Sequence, residues 1–111
     1  MEFMNNFELT LLISPDLTVK KIESIEKLFE KNVKKLGGSI IANENWGLRD
    51  LSYKINNAKK AFYSFFQITF EGSKIQDLKK TLSLNEEILR YLVIKVKKHE
   101  ELPTKLLKNK E

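Results

Sequence analysis

Catalysis begins with side chains that move protons, attack electrophiles or hold ions, and this 111-residue chain offers few. Its one histidine, His99, stands among Lys98, Glu100 and Glu101. Nucleophilic catalysis needs a base set against the attacking group, so a solvent-exposed histidine is the simpler expectation there. The chain has no cysteine. That excludes disulfides, thiolate zinc sites and thiol nucleophiles, and the composition points to a reducing, cytoplasmic setting. Glu86-Glu87 and Glu100-Glu101 are adjacent pairs, which read as surface or helix-terminal charge and not as a convergent metal site. Gly37-Gly38 follows a helical pattern, where a C-cap accounts for it and a phosphate loop does not. No catalytic residue, cofactor or metal is expected.

Recognition chemistry is better represented. Twenty Lys+Arg against fifteen Asp+Glu give a net charge of +5. Such a balance favours polyanions such as RNA, DNA or an acidic membrane, although a general preference for lysine would produce it too. Eighteen of those twenty are lysines, so Arg49, just after Trp46-Gly47-Leu48, and Arg90 stand out. A guanidinium holds a phosphate bidentately or stacks on a base, a geometry lysine cannot reproduce. Alternatively, each arginine pairs with a neighbouring acid, Asp50 or Glu87. The run Lys60-Ala61-Phe62-Tyr63-Ser64-Phe65-Phe66 bears a partial likeness to the base-stacking motif of RNA-recognition domains. That alternative would use Tyr63 and Phe65 as stacking platforms on single-stranded RNA. Ala61 replaces its glycine and Ser64 falls where an aromatic belongs, so Phe62, Phe66, Ile68 and Phe70 are assigned to the core.

One domain must position all of these residues, because the chain is too short for two cores. Phe7, Leu9, Leu11 and Ile13 alternate as in a strand, stopped by Ser14-Pro15-Asp16. From Thr18, an N-cap residue, Ile22, Ile25, Phe29, Val33 and Leu36 recur at helical spacing up to Gly37-Gly38. Ser39 to Ile55 is a long β-rich run with a kink expected at Gly47. Asn56 to Lys60 reads as a polar turn and Ala61 to Phe70 as a central strand. Ser73-x-x-Gln76 has the form of a capping box ahead of a second helix through Ile75, Leu78 and Leu82. Tyr91 to Val96 forms the last strand.

The order βαββαβ predicts an α+β, ferredoxin-like split βαβ fold: a four-stranded antiparallel sheet with two helices on one face. Residues 1–98 form the domain, and 99–111, with Pro103 and an isolated Leu106-Leu107, read as a flexible charged tail. Leu106-Leu107 could also dock within the molecule. Met1 to Ile13 lacks the marks of a signal peptide, and Leu11 to Ile13 cannot span a bilayer, so no membrane association is expected. Enzymes of the acylphosphatase type share this fold but need an arginine-bearing anion loop after the first strand. Here that segment reads Ile13-Ser14-Pro15-Asp16-Leu17, with an acid and no arginine, which argues against phosphate binding and leaves a ferredoxin-like ligand-binding or enzymatic module as the less favoured alternative.

Taken together, four ordered blocks resemble one family, the bacterial small-subunit ribosomal protein numbered six. They are Phe7-Glu8 with Ile13-Ser14-Pro15; Trp46-Gly47-Leu48-Arg49-Asp50-Leu51-Ser52-Tyr53-Lys54-Ile55; Lys60-Ala61-Phe62-Tyr63; and Asn85-Glu86-Glu87-Ile88-Leu89-Arg90. Phe7 stands where the family has tyrosine, Ser52 where it has alanine, and Lys54 where proline is common. The resemblance implies a ribosomal, non-enzymatic protein that binds the central domain of small-subunit ribosomal RNA jointly with the small-subunit protein numbered eighteen. It implies Arg49, Arg90, Lys54 and Tyr53 as RNA contacts, and Trp46 and Leu48 as contacts to the protein partner.

Overall fold

The computed structural model describes residues 4–99. Along the chain run β1 (Met4–Ile13), α1 (Val19–Lys35), β2 (Ser39–Ile55), β3 (Ala58–Glu71), a 3-10 turn (Gly72–Lys74), α2 (Ile75–Ser83) and β4 (Ile88–Val96). The strands form one sheet in the order β2-β3-β1-β4, antiparallel throughout. This is the expected ferredoxin-like arrangement. The region assigned to a tail, apart from His99, lies outside the described residues.

The helices form where the sequence dictates. Thr18 accepts a hydrogen bond from Lys21 N through its hydroxyl at 3.2 Å, satisfying a donor that the first turn of α1 cannot. At the other end Gly37 N donates to Lys34 O and Gly38 N to Val33 O, while Gly37 takes φ +91. That paired closure requires a left-handed residue, which glycine adopts without strain. Between the caps, Ile22, Ile25, Phe29 and Val33 turn one buried stripe onto the sheet. They meet Phe7, Leu9, Leu11 and Ile13 of β1, Phe66, Ile68 and Phe70 of β3, and Leu78 and Leu82 of α2. Phe62 packs against the edge of this cluster, and Phe29 and Phe66 meet with ring centroids 4.6 Å apart.

Two local expectations are corrected. Ser73 does not cap α2: its hydroxyl donates to the Glu71 carboxylate, and the helix begins from a 3-10 turn with no side-chain cap. Ser73 lies inside the 3-10 turn and the N-cap position falls on Lys74, so the serine is one residue too early to cap α2. The turn after β2 is also shorter than expected. Only Asn56 and Asn57 form it, at φ 49 and φ 68, and β3 starts at Ala58. Two consecutive left-handed residues make the tight hairpin turn whose twist matches antiparallel strands, and asparagine tolerates that conformation. Lys59 and Lys60 therefore belong to a strand.

Candidate nucleic-acid interface

Because helices cover one sheet face, the residues available for recognition come from the other face and from the strand ends. β2 is irregular where the site begins. Its register against β3 shifts between Asn45 and Gly47, Gly47 takes φ +80, and Asn45 Oδ1 accepts a hydrogen bond from Gly47 N at 3.0 Å. A bulge of this kind places an extra residue in one strand and changes which face the next side chain meets. Trp46 is that residue.

The Trp46 ring stacks on Phe65, with centroids 4.8 Å apart and planes inclined by 13°, and lies 6.4 Å from Tyr63. Its indole N–H donates to Glu44 Oε1 at 2.6 Å, and its carbonyl accepts from Arg49 Nε at 3.2 Å. Trp46 is thus a bracket that covers Phe65 and orients both an acid and a guanidinium. Arg49 Nη2 is buried and has no hydrogen-bond partner among the described residues. By register Arg49 stands opposite Ala61, whereas Leu48 stands opposite Phe62, whose side chain belongs to the helix side. The structure therefore separates Trp46 and Leu48 onto different faces, although only one residue lies between them.

Arg90 is exposed on β4 and pairs in register with Leu12, which in turn pairs with Tyr63. Three interstrand steps of about 4.8 Å place it roughly 14 Å across the sheet from β2, on the same face as Arg49. The turn before it is held by Asn85, whose side-chain oxygen accepts from Glu87 N at 2.9 Å and whose carbonyl accepts from Ile88 N at 3.1 Å. Neighbouring acids have other partners: Asp50 lies 3.7 Å from Lys60, and Glu87 lies 3.5 Å from Lys21.

Tyr53 and Lys54 lie further out. Pairing of β1 with β3 ends at Ile13 and Phe62, while β2 and β3 continue through Asp50–Lys60 to Ile55–Ala58. That leaves a two-stranded ribbon beyond the body of the sheet. Tyr53 is 85% exposed on it, and Lys54, Lys59 and Lys60 are exposed beside it. Lys59 and Lys60 were not anticipated as interface residues; the Asn56-Asn57 pair was the signal that would have placed them on this arm.

The alternative RNA-recognition surface loses a platform. Phe65 is 5% exposed beneath Trp46, so a base cannot stack on it in this conformation. His99 also departs from expectation, since its side chain is largely buried with Nδ1 3.6 Å from Glu8 Oε2. That separation is an ion-pair distance just beyond a hydrogen bond. On the helix side, Ser64 donates to Glu26 Oε2 at 2.5 Å and accepts from Asn43 Nδ2 at 3.3 Å. Burial raises the Glu26 pKa above its usual range; the Ser64 hydroxyl opposes this, and the charges of Glu30 and Glu23 add to it. Among the described residues no group of three or more acidic, histidine or cysteine side chains could hold a metal, and no helix is long and apolar enough to cross a membrane.

Comparison with known proteins gives a consistent answer. The family model described as Ribosomal protein S6 matches residues 6–95. The small ribosomal subunit protein bS6 of Rickettsia felis is 37% identical over 106 residues, covering 96% of this chain and 88% of that protein. The Mesorhizobium japonicum protein of the same name is 30% identical over 105 residues, covering 95% of this chain and 63% of its own length. Among solved structures, 30S ribosomal protein S6 from Thermotoga maritima superposes with a TM-score of 0.80 at 20% identity, covering 85% of this chain and 89% of that one. That likeness agrees with the split βαβ fold. With a family match over residues 6–95, the chain belongs to the ribosomal protein S6 family of the small ribosomal subunit.

Proposed function

We propose that this chain is a non-catalytic structural component of the small ribosomal subunit, binding the central domain of its ribosomal RNA jointly with the small-subunit protein numbered eighteen. Family membership over residues 6–95 carries this reading and supports the ribosome as its place of action. The geometry supports RNA as the ligand in two ways. Arg49 is held by a backbone carbonyl and Arg90 is exposed, while Asp50 and Glu87 pair with lysines. Tyr53, Lys54, Lys59 and Lys60 lie on a projecting ribbon that can follow a phosphate backbone. Trp46 and Leu48 remain the proposed protein-partner residues, now assigned to separate faces.

Few fixed cations mean weak, salt-sensitive RNA binding by the protein alone, so a partner that buries surface jointly should raise affinity. Tagged protein in lysate should sediment with small subunits and survive a high-salt wash. RNA titrations at physiological salt should then show tighter binding with the partner protein than without it. Recovery only in the soluble fraction would refute the ribosomal role, and equal affinity with and without the partner would refute joint binding.

A further inference from the structure

The two edges of the sheet are defended very differently. An edge strand offers a row of unpaired N–H and C=O groups, a hazard that proteins blunt with bulges, charges or proline. Edge strand β2 is well protected. Its register against β3 shifts between Ile40 and Ala42, between Asn45 and Gly47 and between Asp50 and Ile55, and it carries Glu44, Arg49, Asp50 and Lys54. Edge strand β4 has little of this. It keeps one register against β1 from Arg90 to Val96 and contains no proline, and among the described residues no strand pairs with its outer side. Leu92 and Ile94 are 52% and 60% exposed on the helix-free face, while Tyr91 and Val93 pack at the rim of the core on the other. A regular edge that is apolar on both faces is a template for another strand.

The charges at its ends indicate which strand fits. β4 is nine residues long, Ile88–Val96, so Leu92 is its centre. The turn entering it carries Glu86 and Glu87, and the chain leaving it carries Lys97 and Lys98. Glu86, Lys97 and Lys98 are exposed, and Glu87 lies 3.5 Å from Lys21. A second β4 laid antiparallel about a two-fold axis through Leu92 overlaps all nine residues and keeps side chains of one face together. Leu92 then meets Leu92 of the second copy, Tyr91 meets Val93, Arg90 meets Ile94, Leu89 meets Lys95 and Ile88 meets Val96. Just beyond the strand, Glu86 comes opposite Lys98 and Glu87 opposite Lys97, at both ends of the pair. No like charges stand opposite one another, which would be destabilising. A parallel mate in register would instead set acids against acids and bases against bases.

We propose that the free protein forms a symmetric dimer by antiparallel pairing of β4 with β4 of a second copy, with Leu92 on the two-fold axis. A single strand pair buries little area, so the dimer is reversible and depends on concentration. The pairing rests on the register and charges of this strand and not on the ribosomal reading.

Sedimentation equilibrium of the full chain from roughly 1 µM to 1 mM should show the mass rising from the 13.0 kDa of one chain toward twice that value. Leu92→Lys, at an exposed position, should raise the dissociation constant about tenfold or more by setting two lysines face to face. Glu86→Lys and Lys98→Glu proteins should each dimerise less well alone, because like charges then meet at both ends. An equal mixture of the two should recover dimerisation, because both ends again pair opposite charges. These two substitutions leave the strand itself intact, so they decide the matter if circular dichroism shows Leu92→Lys to be unfolded. A chain that keeps monomer mass over the whole range would overturn the proposal. So would a dimer indifferent to Leu92→Lys in folded protein, or a mixture that associates no better than its components.

Discussion

Arg49 and Arg90 should respond differently to the same substitution, because only one is built into the free protein. Arg49 donates Nε–H to the Trp46 carbonyl at 3.2 Å. A charge-assisted bond contributes up to about 3 kcal/mol when buried, and for this partly buried side chain about 1 kcal/mol is reasonable. Arg49→Lys should therefore lower the stability of the free domain by about 1 kcal/mol, a fall in Tm of roughly 4–8 °C for a domain of this size. Arg90 is exposed on β4, so Arg90→Lys should stay within about 0.5 kcal/mol. Toward RNA both lysine variants keep the charge and lose the fork. A good bidentate contact discriminates by about 1–3 kcal/mol, so affinity should fall roughly 5- to 150-fold in each. Urea unfolding of the free variants, then RNA titration with the partner present at fixed salt, separates the two effects. Lysine variants with unchanged affinity would refute recognition through guanidinium geometry. A marked loss of stability in Arg90→Lys would show that Arg90 is a structural residue instead.

Two further outcomes are expected. Lys59→Ala/Lys60→Ala should leave stability within about 0.5 kcal/mol, since the Lys60–Asp50 pair is exposed, but should flatten the salt dependence of RNA binding by about one unit per lost contact; an unchanged slope would remove the ribbon from the interface. The raised pKa of Glu26 means that the folded state holds its proton after the unfolded chain has released it. Stability from this group is therefore full below about pH 4.5 and declines as pH rises through the folded value. Glu26→Gln should abolish that decline in urea titrations at several pH values, and a parallel pH profile in the two proteins would contradict the assignment.

The elements that bury a periodic stripe were legible from residue types. In α1 the apolar spacing, Thr18 and Gly37-Gly38 all agree, and β1 and β3 alternate clearly against the core. The ribbon was misread because both of its faces are wet. Leu51 to Ile55 and Ala58 to Lys60 lack the alternation that one buried face imposes, so Lys59 and Lys60 looked like turn residues. Trp46 and Leu48 could not be assigned to faces from sequence, because a single extra residue, Trp46 itself, inverts the phase that follows. The burial of His99 depends on Glu8, 91 residues away, and local context gave no sign of it. Arg49 and Arg90 stood out by type alone, but only the fold places them across one face at opposite edges.

The position of β1 has a consequence for how the chain acquires its shape. The first strand made sits between β3 and β4, pairing with residues 62–71 on one side and 88–96 on the other. Neither neighbour exists when it is synthesised. From Ile13 to Glu71, where β3 is complete, is 58 residues, which at about 5–20 residues per second takes roughly 3–12 s. Throughout that interval Phe7, Leu9, Leu11 and Ile13 have at most α1 to lie against, and both strand edges carry unpaired N–H and C=O groups. Contacts so distant in sequence also close slowly. A nascent chain of this design presents its stickiest segment first and shields it last, so holdases that grip extended apolar segments should find their target in β1.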